Sequence, residues 1–187
     1  MMNNPWASLH ITDEELNEVI DTVKSTWLAK GPKVTKFEEL AKSIIGTKHA
    51  IAVNNGTSAL DIALKVLGVK PGDEVIVPAM AYIATANSVL YQHAVPVFAD
   101  ILPDTFCIDP VDVQRKITAK TKAIIAIDYA GHGARWEELQ RIAQEKNLSL
   151  VEDAAPSFGG ERNGKKLCSF ADISITSFHA AKSFVAV

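Results

Sequence analysis

The amino-acid sequence predicts an α/β fold of three layers, α/β/α, in which helices cover both faces of a mostly parallel central sheet. Short apolar runs alternate with stretches of helical periodicity from residue 50 onward. The apolar runs are continuous, without polar residues at every second position, which is typical of strands buried on both faces. Because a helix is predicted between successive strands, the connections should be right-handed crossovers within one sheet.

The strands of this sheet are predicted where an apolar run is bounded by turn residues. They are Ala50–Val53, Glu74–Val77, Pro96–Ala99, Ala123–Ile127, Ser149–Glu152 and Ile173–Ser177. The helices between them are expected at Ser58–Leu67, Ile83–Tyr91, Val111–Ile117 and Trp136–Lys146. The dipeptide Asn163-Gly164 predicts a hairpin turn between Arg162 and Lys165. Together these elements define a predicted large domain over residues 49–187.

Residues 1–48 are predicted to form a helical segment that packs on the large domain. Thr12 and Glu15 have the spacing of a capping box, so the first helix should begin beside Thr12. Its apolar residues recur at helical spacing, at Leu16, Val19, Ile20 and Val23. A break at Gly31-Pro32 separates it from a second helix, whose apolar face carries Phe37, Leu40, Ala41 and Ile44.

Composition and charge exclude several classes of protein. The chain has 187 residues, of which 48% are hydrophobic and 22% charged, and its formal net charge is -3. No basic cluster points to nucleic acid, and no apolar run approaches the ~20 residues of a membrane span. Cys107 and Cys168 lack metal-ligand spacing, so we expect two unpaired thiols and no metal site. These features together predict a cytoplasmic globular protein without nucleic-acid or membrane partners.

The segment Asn55-Gly56-Thr57-Ser58 is the first candidate binding element. It follows a predicted strand and opens a helix, where free backbone N–H groups and the Thr57 and Ser58 hydroxyls can surround an anion. Gly56 permits a tight turn at this point. Alternatively, Thr57 or Ser58 caps the helix. The segment matches neither the Walker P-loop nor the dinucleotide fingerprint, so it predicts a phosphate site for a smaller ligand.

Three further candidates lie where predicted strands end, which is the ligand-binding edge of such sheets. Asp153 ends an apolar strand, and its carboxylate could pair with the N–H of a pyridinium ring, cap a turn or pair with an arginine. Lys182 could act as a Schiff-base nucleophile or remain a solvated surface charge. Ser177 could donate a hydrogen bond to a phosphate. None of these side chains is decisive alone.

The ordered set of motifs resembles the DegT/DnrJ/StrS family of nucleotide-sugar aminotransferases, and the resemblance runs through nearly the whole chain. These enzymes have the type I fold of pyridoxal-phosphate (PLP) enzymes. The motifs that carry the resemblance are Thr26-Trp27, Gly31-Pro32-Lys33-Val34, Asn55-Gly56-Thr57-Ser58-Ala59-Leu60, Pro71-Gly72-Asp73-Glu74, Tyr82-Ile83-Ala84-Thr85, Thr105-Phe106-Cys107-Ile108-Asp109-Pro110, Glu152-Asp153-Ala154-Ala155 and Ser177-Phe178-His179 followed by Lys182.

The resemblance implies a set of residues that bind the phosphate and the ring of PLP. At the helix start, Gly56, Thr57 and the Ser58 backbone would hold the cofactor phosphate, and Ser177 would add a side-chain contact. Tyr82 would stack on the pyridine ring. The implied enzyme is a homodimer with active sites at the dimer interface. It moves an amino group, typically from glutamate, to a keto sugar carried on a nucleotide diphosphate.

The resemblance also implies the residues that act on the cofactor. Asp153 would pair with the ring nitrogen, and Lys182 would be the Schiff-base lysine that afterwards shuttles a proton. Pro156 stands where the family usually has a glutamine that contacts the 3-oxygen of the cofactor, so this contact should differ. Ala180-Ala181 and Ser183 replace the family's usual Pro-Thr and Asn around the lysine.

The length of the chain leaves alternatives open. Family members are about twice as long, so the resemblance predicts a truncated large domain that lacks the small C-terminal domain. A catalytic domain is therefore weighed against a non-catalytic fragment that binds a partner or nothing. A PLP sugar dehydratase is disfavoured by Lys182, because those relatives have histidine there. A nicotinamide-dependent enzyme is disfavoured by the missing glycine fingerprint.

Overall fold

The computed structural model describes residues 10–182 and Phe184, and it divides the chain into two compact units. The first unit joins the described residues up to Ala52 to the stretch that begins at Phe178, and the second unit is Val53–Ser177. The predicted division into residues 1–48 and 49–187 stays a prediction. Among the described residues, no helix combines the length and apolar character that crossing a bilayer requires.

The first unit contains two helices, α1 (Asp13–Ser25) and α2 (Pro32–Ile45). The predicted capping box is present, because the Thr12 hydroxyl accepts from the Glu15 N–H and the Glu15 carboxylate accepts from the Thr12 N–H at 2.6 Å. Helix α2 starts at Pro32, where the absence of an N–H costs nothing. Within this unit the Phe37 and Phe178 rings meet edge-on, with centroids 5.0 Å apart.

The second unit is built on a parallel sheet, which confirms the predicted fold class. The strands are β1 (Glu74–Pro78), β2 (Val95–Ala99), β3 (Thr121–Ile127), β4 (Ser149–Asp153) and β7 (Ile173–Ile175), in the order β2-β1-β3-β4-β7. Every neighbouring pair of these strands runs parallel. The predicted hairpin is also present, as β5 (Glu161–Arg162) and β6 (Lys165–Lys166).

Helices cover both faces of this sheet. Because successive residues of a strand point to opposite faces, each strand contributes side chains to the packing on both sides. The helices are α3 (Gly56–Val66), α4 (Ala84–Tyr91), α5 (Pro110–Lys116) and α6 (Trp136–Lys146). On one face, Ile76 and Ile124 belong to a buried cluster that includes residues of α5 and α6. On the other, Val77 and Ile125 belong to a cluster that includes residues of α3 and α4. The fold therefore has two apolar cores, one on each side of the sheet.

Two strand predictions need correction. The predicted strand Ala50–Val53 is not a strand, because within the described residues it pairs with no other strand and Ile51 is 79% exposed. The Ala52 N–H donates instead to the Glu38 carboxylate at 2.9 Å. The last strand ends at Ile175 rather than Ser177, because its neighbour β4 ends at the residue opposite, Asp153. An apolar run forms a strand only where a partner offers hydrogen bonds.

Candidate functional site

Polar residues gather at the carboxyl edge of the sheet in the second unit. Asp153 is the last residue of β4, Asp128 follows β3, and Ser177 lies two residues beyond β7. These segments are joined by backbone hydrogen bonds, from the Ala154 N–H to the Ile175 carbonyl at 2.8 Å and from the Asp128 N–H to the Asp153 carbonyl at 3.2 Å. Because parallel strands end at one edge, the structure brings these residues into one region.

The start of α3 faces Ser177 in this region. A Cβ atom placed on Gly56 would lie 3.6 Å from the Ser177 Cβ and 3.9 Å from its Oγ. Glycine at this position therefore lets the backbone of the helix start approach Ser177 closely. The proximity brings together two elements that the sequence singled out separately as phosphate-binding candidates.

The helix cap is Asn55, so the alternative that Thr57 or Ser58 caps α3 is wrong. The Asn55 Oδ1 accepts from the Ser58 N–H at 2.8 Å. Thr57 and Ser58 are half-buried, and their hydroxyls make no hydrogen bond to the described part of the chain. The helix start thus presents two hydroxyls and the N–H groups of Gly56 and Thr57, while the Ser58 N–H is already engaged.

Asp153 is buried, with 5% of its surface exposed, at the mouth of the sheet. Its Oδ1 accepts from the Ala155 N–H at 3.1 Å, so the first residues after the strand orient the carboxylate. The following turn is closed by the Ser157 N–H, which donates to the Ala154 carbonyl at 3.0 Å. Pro156 lies inside this turn and is half-buried.

Tyr82 lies in the connection between β1 and α4 and is 75% exposed. Its carbonyl accepts from the Thr85 N–H at 3.0 Å, which holds its backbone against the first turn of α4. The phenol ring is therefore carried by an ordered backbone but leaves most of its surface accessible. A ring presented in this way can stack on a flat aromatic ligand.

Lys182 belongs to the first unit. Its backbone N–H donates to the His179 carbonyl at 2.8 Å, and the Ala181 N–H donates to the His179 Nδ1 at 3.2 Å. These bonds form a turn that begins at His179, and Lys182 is half-buried. The role of Lys182 as Schiff-base lysine stays a prediction.

The sequence places Asp128 at a strand end and makes Glu152 a weaker candidate than Asp153, but it did not predict that these two carboxyl groups are fully buried beside each other. Asp128 accepts hydrogen bonds from the Ala134 N–H at 3.0 Å and the Trp136 Nε1–H at 2.9 Å through Oδ1, and from the Ser157 hydroxyl at 3.1 Å through Oδ2. Burial and, second, the charge of Glu152 raise the pKa of Asp128 to about 7. The sequence signal for Asp128 was its position directly after an apolar strand.

The Glu152 carboxylate is held by hydrogen bonds from neighbouring segments of the chain. It accepts from the Cys168 and Phe170 N–H groups at 2.6 and 2.7 Å and from the Ser174 hydroxyl at 2.7 Å. Burial, followed by the charge of Glu152, raises the pKa of the Cys168 thiol to about 12, which makes that thiol a poor nucleophile. Cys107 and Cys168 are both free and buried. In the described residues, no group of three or more metal-ligating side chains comes together.

The fold and its polar edge define a class of protein. It is an α/β protein with a parallel sheet, whose carboxyl edge carries a buried carboxylate and a helix start with available hydrogen-bond donors. The chain belongs to the DegT/DnrJ/EryC1/StrS aminotransferase family, whose model matches residues 9–187. This match confirms the family that the motifs predicted.

Individual relatives agree with this assignment. The chain is 39% identical to GDP-perosamine synthase of Escherichia coli O157:H7, over 92% of this chain and 48% of that protein. It is 41% identical to UDP-2-acetamido-2-deoxy-3-oxo-D-glucuronate aminotransferase of Pseudomonas aeruginosa, over 81% of this chain and 42% of that protein. The chain thus spans about half the length of the curated relatives that it matches.

A solved structure extends the comparison to the fold. The chain superposes on Spr1654 from Streptococcus pneumoniae in its PLP form with a TM-score of 0.94 and 35% identity, covering 98% of this chain and 50% of that one. The same protein has been solved in a PMP form, with the same TM-score of 0.94.

Proposed function

We propose that this chain provides the cofactor-binding part of a PLP-dependent aminotransferase, which moves an amino group from glutamate to a keto sugar on a nucleotide diphosphate. The observation that carries the proposal is Asp153, a buried carboxylate at the end of a strand, on the same sheet edge as an open helix start. Its carboxylate, which accepts from the Ala155 N–H, is an acceptor that can also take the N–H of a pyridinium ring.

The helix start fits a phosphate monoester. The N–H groups of Gly56 and Thr57 and the hydroxyls of Thr57 and Ser58 are the donors there, and the position of the first helical turn favours negative charge. Ser177 lies against the same turn and would add a donor. To bind the phosphate as well, the Ser58 N–H would have to break or share its hydrogen bond to the Asn55 Oδ1.

The other groups would hold the cofactor ring in place. Asp153 would keep the ring nitrogen protonated, and the exposed Tyr82 phenol would stack on one face of the ring. When bound, PLP supplies the electron sink for chemistry at the substrate carbon. Pro156 has no side-chain donor, so the 3-oxygen of the cofactor would lack the contact that the family's usual glutamine makes.

Lys182 would hold the cofactor covalently through its Nζ and, once displaced by the incoming amine, move a proton at the reacting carbon. A lysine serves this purpose because its amine is a nucleophile when deprotonated and an acid when protonated. Histidine in its place would permit the proton transfer without the covalent attachment. This difference separates the proposed transfer of nitrogen from a dehydratase reaction.

The substrate proposal draws on the relatives. GDP-perosamine synthase and UDP-2-acetamido-2-deoxy-3-oxo-D-glucuronate aminotransferase carry nucleotide sugars in their names, so a keto sugar on a nucleotide diphosphate is the class we propose. Glutamate is proposed as the amino donor because the family typically uses it. We also propose a homodimer located in the cytoplasm, a reducing compartment with which two buried free thiols are consistent.

The test is covalent capture of the cofactor. PLP added to the chain should produce a visible absorption band, and borohydride reduction should leave a phosphopyridoxyl group that peptide mass spectrometry locates on Lys182. Lys182→Ala should abolish the label. Lys146→Ala, which removes a lysine from the last turn of α6, should retain it. If the wild-type chain forms no band, or the label sits on another lysine, the proposal for this chain is wrong.

A further inference from the structure

We propose that Asp128 is a positioning residue for the Asp153 carboxylate, acting through the Ser157 hydroxyl and the turn of residues 154–157. This inference rests on the proposed function, because it concerns the same cofactor site. It adds a role for a buried acid that lies beside the site rather than in it. Three contacts connect Asp128 to Asp153.

The first contact joins Asp128 to the turn. The Asp128 Oδ2 accepts from the Ser157 hydroxyl at 3.1 Å, and both residues are buried. In such surroundings a hydrogen bond to a carboxyl group is worth more than in water, and leaving either partner unsatisfied is costly. The position of Ser157 is therefore tied to that of Asp128.

The second contact closes the turn itself. Ser157 lies within reach of the Ala154 carbonyl through both its N–H, at 3.0 Å, and its hydroxyl, at 3.3 Å. The Thr176 hydroxyl donates to the same carbonyl at 3.2 Å. Ala154 is thus held between Ser157 on one side and the end of β7 on the other.

The third contact sets the carboxylate. The Ala155 N–H donates to the Asp153 Oδ1 at 3.1 Å, and Ala155 follows directly from the restrained Ala154. The backbone of Asp128 reinforces the arrangement, because its N–H donates to the Asp153 carbonyl at 3.2 Å. Asp128 therefore contacts the residue before the turn with its backbone and the end of the turn with its side chain.

Asp128 is itself immobilised by a separate segment. Its Oδ1 accepts from the Ala134 N–H and the Trp136 Nε1–H, at the start of α6, where Trp136 is fully buried. A carboxylate whose first oxygen is bonded to the core can hold a loop through a hydrogen bond to its second oxygen. This division of the two oxygens distinguishes a positioning role from simple capping of the loop before α6.

Substitution of Ser157 is the sharpest test, because Asp128→Ala would leave the Trp136 and Ala134 donors buried without an acceptor and could unfold the chain. Ser157→Ala should speed hydrogen exchange at the Ala155 amide and raise the dissociation constant for PLP roughly three- to tenfold, as expected for one lost hydrogen bond. In Asp128→Asn the amide oxygen can still accept from Ala134 and Trp136, and the amide NH2 can donate to the Ser157 hydroxyl oxygen, so this variant should retain wild-type affinity. Ser169→Ala removes a serine hydroxyl that donates to the Lys166 carbonyl and takes part in none of the three contacts, so it is the matched control.

A double-mutant cycle separates positioning from general stability. In an Asp153→Asn background, Ser157→Ala should cause little further loss of PLP affinity, because the group that it positions has gone. If Ser157→Ala and Asp153→Asn reduce PLP affinity independently, so that their fold-changes multiply, the proposal is wrong. It is also wrong if the Ala155 amide of Ser157→Ala exchanges at the wild-type rate. Should the wild-type chain fail to bind PLP, the proposed function fails, yet the exchange measurement still decides whether Ser157 and Asp128 restrain the turn.

Discussion

At the scale of single residues, the molecule places two buried acids at the ends of neighbouring strands, in different surroundings. Both accept a backbone N–H, but Asp153 lies at the mouth of the sheet, whereas Asp128 is fully enclosed beside a second buried carboxyl group. Enclosure disfavours the charged form, and the neighbouring Glu152 adds repulsion. The acid best suited to meet a cationic ring is therefore the one at the mouth.

The raised pKa of Asp128 predicts how stability changes with pH. The folded chain keeps a proton on Asp128 up to about pH 7, whereas the unfolded chain releases it near the ordinary aspartate pKa of 3.8. The free energy of unfolding should therefore fall as pH rises from about 4 to about 7, with a slope from this group of at most about 1.4 kcal/mol per pH unit, and level off above that range.

Urea unfolding at a series of pH values measures this slope. Asp128→Asn, which cannot ionise, should flatten it. Asp112→Asn is the control, because the hydrogen bond from the Asp100 N–H lowers the pKa of Asp112 and its effect falls in a more acidic range. Parallel slopes for the wild type and Asp128→Asn would contradict the assignment.

At the scale of elements, the start of α3 combines a structural cap with a candidate phosphate site. Asn55→Ala removes the acceptor of the Ser58 N–H and should lower the free energy of unfolding by about 1 kcal/mol, as for other lost helix caps. Asn55→Asp keeps an acceptor oxygen and should restore stability. Asn17→Ala, at an exposed position of α1, controls for loss of an amide side chain. Equal stability of Asn55→Ala and the wild type in urea unfolding would show that the cap contributes nothing.

Element boundaries were predictable where the signal is local. The period of apolar residues placed α6 at Trp136–Lys146 as observed, and β1 to within a residue. The segment 50–53 has the same apolar character but forms no strand, because strand formation depends on a partner that a local pattern does not specify. The sequence offered Thr57 and Ser58 as alternative caps of α3, whereas the structure uses Asn55, because several neighbouring residues could accept from the same N–H groups.

At the scale of the whole molecule, the proposed homodimer makes a direct prediction. Sedimentation equilibrium should give twice the mass of the chain, with dissociation only on dilution. Large apolar side chains such as Tyr82 and Ile83 are 75% and 62% exposed, and contact with a second subunit would remove such surface from water. A mass equal to one chain at every concentration would refute the homodimer for this chain.

The sequence alone determined the α/β class, the family and the identities of the candidate site residues, because strand and helix periods and ordered motifs are local properties of the chain. Only the tertiary structure decided which donor meets which acceptor. It assigned the cap to Asn55, brought Gly56 against Ser177, and joined Asp128 through Ser157 to the turn after Asp153. Such pairings link residues far apart in sequence, and they are fixed by packing rather than by any pattern along the chain.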